Sequence, residues 1–360
     1  MLIPMTKITV CLSENPYDIQ IGQGLLHRAG EISSGVLNLC RCVVITDDVV
    51  GPLHADTLLK SLVEAGFDAH LLSVPAGEIS KSMKFASSLC DRLIELGLDR
   101  KSAVFALGGG VVGDLAGFVA SIHYRGIPIV QVPTTVIAQV DSAIGGKTGV
   151  NSPLGKNLIG TFHQPRLVIA DTNVLSTLPD RIFREGLAEV IKHAVIDDAT
   201  MLSLLPPDRK TDLSPLIARN VSIKARIVSE DEFETSGTRA LLNFGHTIGH
   251  AIESAVGYGT LAHGEAVAIG MIAALDLSVR LAGLNPSESD RVVSAIKSCG
   301  LPSTIPTGLT TDSILDALKR DKKFSSGSIR FILTRHLGSA FVSNQVTLEN
   351  IVDAIERIRG

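Results

Sequence analysis

Three histidines lie close together in the second half of the sequence, within a span of 18 residues. His246 and His250 are four residues apart, a spacing that brings two side chains onto one face of a helix. His263 follows a Gly-Tyr-Gly sequence and lies two positions before Glu265. Two imidazoles on one helix face could bind a common divalent metal ion, which then needs a third protein ligand. The alternative is a pair of polar residues on a partly buried helix, and the spacing alone leaves both interpretations open.

A candidate for the third ligand lies upstream, in the otherwise apolar segment GLAEVIKHAVI. Glu189 and Lys192 are three residues apart there and share a helix face. They form either a surface ion pair or two charges that point together into a cleft. In the second case Glu189 completes a Glu/His/His set with coordination positions left open for a polyol substrate. Further cations in the same half of the chain are Lys224, Arg239, Lys322 and Lys323.

A glycine-rich stretch, GGGVVGD, directly follows the apolar run SAVFAL and precedes a predicted helix. Glycines at such a junction let the backbone approach a pyrophosphate at a helix N-terminus. The alternative is a tight structural turn, because no acidic residue ends the following strand. Asp47, after the run CVVIT, could accept hydrogen bonds from ribose hydroxyls, and Glu78 and Lys81 follow the next predicted strand. Each acid could equally cap a helix, but together these residues favour NAD binding.

Two lysines with glycine neighbours occur in segments that we predict to be loops. Lys147 lies in GGKTG and Lys156 in GKN. Lysines in such positions suit an anionic small molecule. Taken singly, each is also typical of an ordinary solvated lysine.

The elements that position these residues change character along the chain. Over roughly the first 170 residues, short apolar runs alternate with helical patterns, which predicts a Rossmann-like α/β fold with a mostly parallel sheet. From about residue 178 the periodicity is mainly helical. We therefore predict an α/β domain over residues 1–175 and a mainly α-helical domain over residues 176–360, and clefts between such domains are common ligand sites.

The predicted boundaries can be stated element by element. The predicted strands are 7–12, 17–21, 42–46, 69–74, 102–107, 127–132 and 328–333. The predicted helices are 51–65, 81–96, 114–123, 185–196, 213–230, 240–255, 265–282, 288–299, 311–320 and 348–357.

Composition narrows the class of protein. Hydrophobic residues make up 45% of the chain and charged residues 19%, which is typical of a globular protein with a large core. The net charge of −4 gives no electrostatic reason to expect a nucleic acid or an anionic membrane as partner. The five cysteines show no C-x-x-C spacing, and the first residues do not resemble a signal peptide. These features predict a soluble, cytoplasmic protein with reduced thiols.

Seven motifs, in order, resemble those of the 3-dehydroquinate synthase family of the shikimate pathway: GGGVVGD, VPTT, VDSAIGGKTGVN, PLGKNLIG, GLAEVIK, LLNFGHTIGH and HGEAVAIGM. The resemblance runs from about Asp47 to Lys323. It implies an NAD-binding α/β domain, a zinc or cobalt ion in the helical domain, and a homodimer. It also implies conversion of the sugar phosphate 3-deoxy-arabino-heptulosonate 7-phosphate into 3-dehydroquinate and phosphate.

The resemblance also implies roles for individual residues. The metal ligands would be Glu189, His246 and His263, whereas His250 would face the substrate and its proton relay. This differs from the interpretation from spacing, in which both helix histidines bind the metal. The implied NAD contacts are Asp47, Glu78, Lys81, Gly109, Gly110, Val111, Asp114, Thr134, Thr135, Lys147, Lys156, Asn157 and Thr177. The implied substrate groups are Asp141, Lys147, Lys192, Lys224, Arg239, Asn243, His250 and Lys322, with Arg125 reaching across a dimer interface.

Three alternatives share parts of this pattern. A polyol dehydrogenase of the glycerol dehydrogenase type also has a GGG turn and paired histidines, but it needs no dense set of anion-binding groups. Other sugar-phosphate cyclases make different cyclitols and tend to alter the groups that contact the carboxylate and phosphate of the substrate. A non-catalytic NAD- or metal-sensing protein would be expected to lack a ligand or Lys192, and none is missing here.

Overall fold

The computed structural model describes residues 5–257, 259–320 and 330–359, without the side chain of Arg320. The chain forms two compact units. The first contains Met1–Pro179 and Arg209–Phe233, and the second contains Asp180–Asp208 and Glu234–Gly360. The sequence prediction assigned residues 209–233 to the second domain, whereas they pack with the first unit. The physical reason is that periodicity identifies a helix but not the sheet that the helix covers. The helix formed by Ser214–Glu230 packs against the first two strands of the chain.

The first unit is built on a seven-stranded sheet in the order β1-β2-β9-β6-β5-β3-β4. Only the edge strand β1 runs antiparallel to its neighbour. The strands of this unit are β1 Met5–Val10, β2 Tyr17–Gly22, β3 Arg41–Asp47, β4 Asp68–Val74, β5 Ala103–Gly108, β6 Ile129–Pro133, β7 Lys147–Ser152, β8 Gly155–Phe162 and β9 Leu167–Asp171. Its helices are α1 Ala29–Ser34, α2 Gly51–Glu64, α3 Met83–Glu95, α4 Gly110–Ile122 and α6 Ser214–Glu230. The predicted mostly parallel α/β fold is confirmed.

Burial explains why the central strands were visible in the sequence. Every residue of β5 and β6 is buried, so these strands appear as nearly continuous apolar runs. The strand β9 is also completely buried, but it was not predicted. The edge strands β1 and β4 are partly exposed and show mixed patterns. The core of the unit forms where β3, β5 and β6 pack against α3 and α4.

A glycine-rich hairpin, β7 with β8, was not predicted. Lys147 and Lys156 lie on these strands and not in loops, which corrects the prediction. Glycine and lysine have low strand propensity, and the pairing depends on close backbone approach instead. Gly149 pairs with Gly160, and a Cβ added at Gly160 would lie 2.2 Å from the carbonyl oxygen of Thr148. Side chains at these positions would therefore force the strands apart.

The second unit is mainly helical, as predicted. Its elements are α5 Asp180–Ile196, α7 His246–Val256, α8 His263–Ala282, α9 Pro286–Ser298, α10 Thr311–Arg320, α11 Leu348–Arg357, and the antiparallel strands β10 Phe331–His336 and β11 Ser339–Ser343. The predicted helix 240–255 is two elements, the 3₁₀ turn Arg239–Asn243 and α7. They are separated by Phe244, which follows the turn, and by Gly245, which has a left-handed φ of 78° and immediately precedes α7. Within the residues that the structure describes, no helix has the length and apolar character needed to cross a membrane.

Candidate functional site

Three helices of the second unit bring Glu189 and the histidines together. Glu189 lies on α5 and is fully buried. The Nε2 atoms of His246, on α7, and His263, on α8, lie 3.5 and 3.8 Å from Oε1 of Glu189. His250 belongs to the same cluster, because one nitrogen of each of the three histidines lies within 4.8 Å of the others. The sequence-predicted ligands therefore meet in space, and His250 lies beside them.

The environment of Glu189 suits a cation. Lys192 forms an ion pair with Oε2, and the two side chains are 1% and 0% exposed, so the surface-pair interpretation is wrong. Among the described residues, no donor makes a hydrogen bond of good geometry to either oxygen of Glu189. A buried carboxylate that lacks such bonds is costly, and a divalent ion would satisfy it. Burial, followed by the charge of Lys192, lowers the pKa of His246, which keeps the imidazole in its neutral, ligating form.

Hydrogen bonds at Nδ1 orient two of the imidazoles. Nδ1 of His246 lies 3.1 Å from the carbonyl oxygen of Phe244, and Nδ1 of His263 lies 3.1 Å from Oε2 of Glu253. In both rings Nε2 is then the atom that faces Glu189. Two imidazole nitrogens and one carboxylate are a donor set that binds zinc, with positions left open for water or substrate.

Glycines allow the three helices to approach closely enough to form this cluster. A Cβ added at Gly264, the second residue of α8, would lie 2.0 Å from the carbonyl oxygen of Glu185 on α5. A Cβ at Gly270 would lie 2.0 Å from the carbonyl oxygen of Gly245 and 2.6 Å from the amide nitrogen of Gly249, at the start of α7. The two glycines of α8 thus bring His263 toward α5 and α7. Sequence reasoning missed this role, although both glycines lie in the motif HGEAVAIGM.

A salt bridge fixes the beginning of α8. Arg181 on α5 donates from Nε and Nη2 to the two carboxylate oxygens of Glu265, at 2.9 and 2.7 Å. Glu265 also accepts from the amide of Ala262 at 2.9 Å, which caps the helix that begins with His263. The hydrogen bond from Arg181 lowers the pKa of Glu265, and burial raises the pKa of nearby Glu185 to about 7. Neither Arg181 nor Glu185 had a signal in the sequence.

In the first unit, a buried lysine connects residues predicted to contact NAD. Nζ of Lys81 lies 2.6 Å from Oδ2 of Asp114 and 2.5 Å from Oδ1 of Asn157. Glu78 accepts from Asn151 at 2.7 Å, and Oδ1 of Asn151 accepts from the amide of Asn157. Burial raises the pKa of Asp114, and the Lys81 ammonium opposes that rise. Four predicted residues therefore form one polar cluster: Glu78 and Lys81 from the turn after β4, Asp114 from α4 and Asn157 from β8. Asn151 is a member that was missed.

The glycine-rich turn begins α4, as its sequence predicted. Gly109 precedes the first residue of the helix, and a Cβ at Gly110 would lie 3.0 Å from Oγ of Ser142. Val111 lies in the first turn of the helix. Thr134 donates its amide hydrogen to the carbonyl of Gly108, and Thr135 accepts from the amide of Ala138. This backbone could approach an anion at the helix N-terminus.

Two residues of the predicted NAD set make different contacts. Oδ1 of Asp47 accepts from the amides of Val49 and Val50, at 3.0 and 2.7 Å, immediately before α2. These bonds hold the turn between β3 and α2, and they are not the helix cap that the sequence left open for the acids, because α2 has no side-chain cap. Thr177 lies 3.0 Å from Nε2 of His54 through its hydroxyl. Neither residue joins the cluster around Lys81 through a hydrogen bond in the described structure.

The residues predicted to contact substrate are divided between the units. In the first unit, Asp141 lies on a π-helical turn and forms an ion pair with the buried Lys224 of α6. Arg125 is exposed and has a φ of 67°, which is strained for a residue with a side chain. In the second unit, Arg239 is buried, and Asn243 lies 3.5 Å from Oε1 of Glu234. Lys322 and Lys323 lie outside the described residues.

Two family models match adjacent parts of the chain and together cover more than half of it. The model for 3-dehydroquinate synthase N-terminal matches residues 71–185, and the model for 3-dehydroquinate synthase C-terminal matches residues 186–324. The chain belongs to the 3-dehydroquinate synthase family. The family resemblance inferred from the motifs, and the expectation of an enzyme, are thereby confirmed.

Relatives and solved structures agree with membership of the 3-dehydroquinate synthase family. The 3-dehydroquinate synthase of Synechococcus sp. (strain CC9605) is 44% identical over 370 residues, covering 100% of this chain and 99% of the relative. A structure of 2-deoxy-scyllo-inosose synthase complexed with carbaglucose-6-phosphate, NAD+ and Co2+ matches at a TM-score of 0.88 and 29% identity, covering 98% and 100% of the two chains. A structure of 2-epi-5-epi-valiolone synthase from Streptomyces hygroscopicus subsp. jinggangensis 5008, with NAD+ and Zn2+ bound, matches at a TM-score of 0.86 and 31% identity. This match covers 97% of the present chain and 98% of the synthase.

Proposed function

We propose that the chain converts 3-deoxy-arabino-heptulosonate 7-phosphate into 3-dehydroquinate and phosphate, as a step in the biosynthesis of chorismate and aromatic amino acids. The observation that carries the proposal is that His246 and His263 meet at the buried carboxylate of Glu189, in a chain that belongs to this family. The relative from Synechococcus bears the same activity in its name, and it aligns over the whole of this chain.

The cofactors of the proposal are NAD and one divalent metal ion, either zinc or cobalt. Glu189, His246 and His263 would hold the metal, and Glu78, Lys81, Asp114 and Asn157, with the turn at Gly109 and Gly110, would hold NAD. The remaining assigned NAD contacts are Asp47, Val111, Thr134, Thr135, Lys147, Lys156 and Thr177. When bound, NAD would accept hydride from C5 of the substrate and return it later, and the metal would polarise the C4 and C5 oxygens.

The chain's own residues would bind the two anionic ends of the substrate. We assign Lys224 and Arg239 to the carboxylate, and Lys147 and Lys322 to the phosphate, with Arg125 adding a further cation. Lys224 is already oriented by its ion pair with Asp141. Binding both ends of the substrate would place its C5 and C6 atoms in the geometry that the reaction needs. Such orientation, together with the fixed charges of the site, is the main way in which a site of this kind lowers the activation barrier.

Proton movement falls to residues beside the metal cluster. Lys192, His250 and Asn243 would form the relay at the C5 hydroxyl, since Lys192 is buried against Glu189 and His250 adjoins His246 and His263. A ketone at C5 acidifies the proton at C6, and we assign removal of that proton to the phosphate of the substrate itself. Once phosphate has left and the hydride has been returned to C5, ring opening and an intramolecular aldol closure would complete the product. The protein then mainly has to exclude water and hold the carbon chain in place.

We also propose a cytoplasmic homodimer, formed through the exposed apolar surface beside β8. Leu158, Ile159 and Phe162 on β8 are 46%, 37% and 43% exposed, and the ring of Phe162 packs against Phe233, which is 56% exposed. Apolar side chains next to a strand edge are a typical interface. Light scattering of the eluting protein should give twice the mass of the chain, and Phe162→Glu should give a single copy.

A panel of substrates tests the proposed activity against the alternatives. With NAD and zinc or cobalt, the heptulosonate phosphate should yield phosphate and 3-dehydroquinate in equal amounts, whereas a hexose 6-phosphate and an unphosphorylated polyol should not react. Cyclisation of the hexose phosphate would indicate one of the other cyclases, which the structural similarity to 2-deoxy-scyllo-inosose synthase makes the second candidate. Oxidation of the polyol alone would indicate a dehydrogenase.

A further inference from the structure

Glu253 is a buried carboxylate beside the metal cluster that the proposed function does not use. It lies on α7, seven residues after His246, so two helical turns place both residues on the same face. Its side chain is only 8% exposed, and Oε2 lies 3.1 Å from Nδ1 of His263. A buried carboxylate in that position requires an explanation, because its charge is removed from water.

The two ring nitrogens of His263 face two different carboxylates. Nδ1 faces Oε2 of Glu253 at 3.1 Å, and Nε2 faces Oε1 of Glu189 at 3.8 Å. A neutral imidazole has one N–H and one lone pair, and a carboxylate can only accept. With the proton on Nδ1 and donated to Glu253, the lone pair on Nε2 faces Glu189, where the proposed metal would bind.

His263 needs such a restraint more than His246 does. Its side chain is 34% exposed and it is the first residue of its helix, whereas the side chain of His246 is 9% exposed and its Nδ1 is held by the backbone carbonyl of Phe244. A partly exposed imidazole at a helix end can rotate about its side-chain torsions and exchange its tautomer.

We propose that Glu253 is the positioning residue that fixes the ring orientation and tautomer of His263 for metal binding. This inference rests on the metal site of the proposed function. Partners of this kind typically change metal affinity 10–100-fold when they are removed, because they orient the ligand and increase its basicity. A carboxylate with a purely structural role would affect folding but not the affinity for metal.

The test measures the dissociation constant for Zn2+ by competition with a chromogenic chelator, starting from metal-free protein. Glu253→Ala should weaken Zn2+ binding about 10–100-fold. Glu253→Gln keeps the size and an acceptor oxygen but loses the charge, so its affinity should lie between those of Glu253→Ala and the unchanged protein. Ser254→Ala, at the exposed neighbouring position of α7, is the matched control and should bind as the unchanged protein does.

A spectroscopic measurement separates positioning from stability. The visible absorption of the Co2+-loaded protein should change in Glu253→Ala, because the ring of His263 is no longer held, and should not change in Ser254→Ala. If Glu253→Ala does not fold, the affinity and spectrum of Glu253→Gln decide. Zn2+ affinity and a Co2+ spectrum unchanged in the folded Glu253 variants would overturn the inference.

Glu189→Gln, measured in parallel, separates this inference from the metal site itself. Loss of Zn2+ affinity in Glu189→Gln with unchanged affinity in both Glu253 variants would reject the role of Glu253 and leave the metal site standing. Unchanged affinity in Glu189→Gln as well would reject the metal site, and the inference with it.

Discussion

At the scale of the residue, the chemistry concentrates on one buried carboxylate. Glu189 is fully inaccessible, and it faces two imidazole nitrogens and the ammonium of Lys192. Burying a charge costs several kcal/mol unless partners compensate for it. Lys192 provides a single positive charge beside this carboxylate. A divalent ion between Glu189, His246 and His263 would satisfy all three groups at once.

The two histidines of α7 should respond differently to truncation. His246→Ala should abolish tight Zn2+ binding, because Nε2 of His246 faces Glu189. His250→Ala should keep the metal but lower kcat about 10²–10⁴-fold, the usual effect of losing a residue that transfers protons. Metal content by mass spectrometry and steady-state turnover measure the two effects. Loss of metal from both variants alike would support the interpretation from spacing, in which both histidines are ligands.

At the scale of the element, close helix packing determines where the histidines lie. α7 and α8 approach at Gly245, Gly249 and Gly270, where any larger residue on α8 would overlap the backbone of α7. Protein interiors absorb such overlap poorly, because they are packed at nearly crystalline density. The distances in space between His263 and the two histidines of α7 therefore depend on these glycines.

Gly270→Ala should both destabilise the protein and weaken metal binding. Its Cβ would lie 2.0 Å from the carbonyl oxygen of Gly245, so the helices must separate, at a cost of about 1–3 kcal/mol in the free energy of unfolding. Gly35→Ala is the control, because its Cβ would meet nothing closer than 3.3 Å. Urea unfolding and the Zn2+ dissociation constant are the measurements. Equal stability and affinity in the two variants would show that the contact at Gly270 does not position the histidines.

The elements also show what could be predicted from the sequence. The buried strands β3, β5 and β6 and the helices α2, α9 and α10 were found, because their periodicity is local. The hairpin of β7 and β8 was missed, because its pairing depends on contacts between glycine backbones. A left-handed Gly245 divides a segment that periodicity had joined. The motifs predicted that Glu189 would be near His246 and His263, whereas Glu253 and Arg181 became evident only from their contacts in the fold.

At the scale of the whole molecule, each unit contains a different part of the set of candidate site residues. The first unit holds the glycine-rich turn, the cluster around Lys81 and the pair Asp141–Lys224, whereas the second holds the Glu/His cluster and Arg239. The chain returns to the first unit through Arg209–Phe233, which is how Lys224 comes to lie beside Asp141. The proposed reaction requires NAD and the metal to act on the same substrate molecule, so both units are needed for it.

The stability of the whole chain should depend on pH partly through His163. Nε2 of His163 donates to the carbonyl oxygen of Ile127 at 2.9 Å, and burial lowers the pKa of this histidine below its ordinary value of 6.5. Protonation is therefore harder in the folded than in the unfolded chain. The stabilisation is complete above pH 6.5 and is lost as the pH falls below it, through the lowered pKa of the folded state.

Urea unfolding of metal-free protein between pH ~8 and pH ~5 measures this dependence. His163→Gln, which can still donate to Ile127, should lose stability less steeply than the unchanged protein as the pH falls. His27→Gln, at an exposed position, is the control and should keep the original slope. Identical slopes for all three proteins would show that His163 does not contribute.

The proposed reaction is a lyase reaction in which NAD is reduced and reoxidised within each turnover. The most direct measurement follows phosphate, 3-dehydroquinate and NADH together, with the heptulosonate phosphate in large excess over NAD. We predict many equivalents of phosphate per NAD, an equal amount of 3-dehydroquinate, and no net NADH. NADH that accumulates in proportion to substrate consumed, without release of phosphate, would contradict the account.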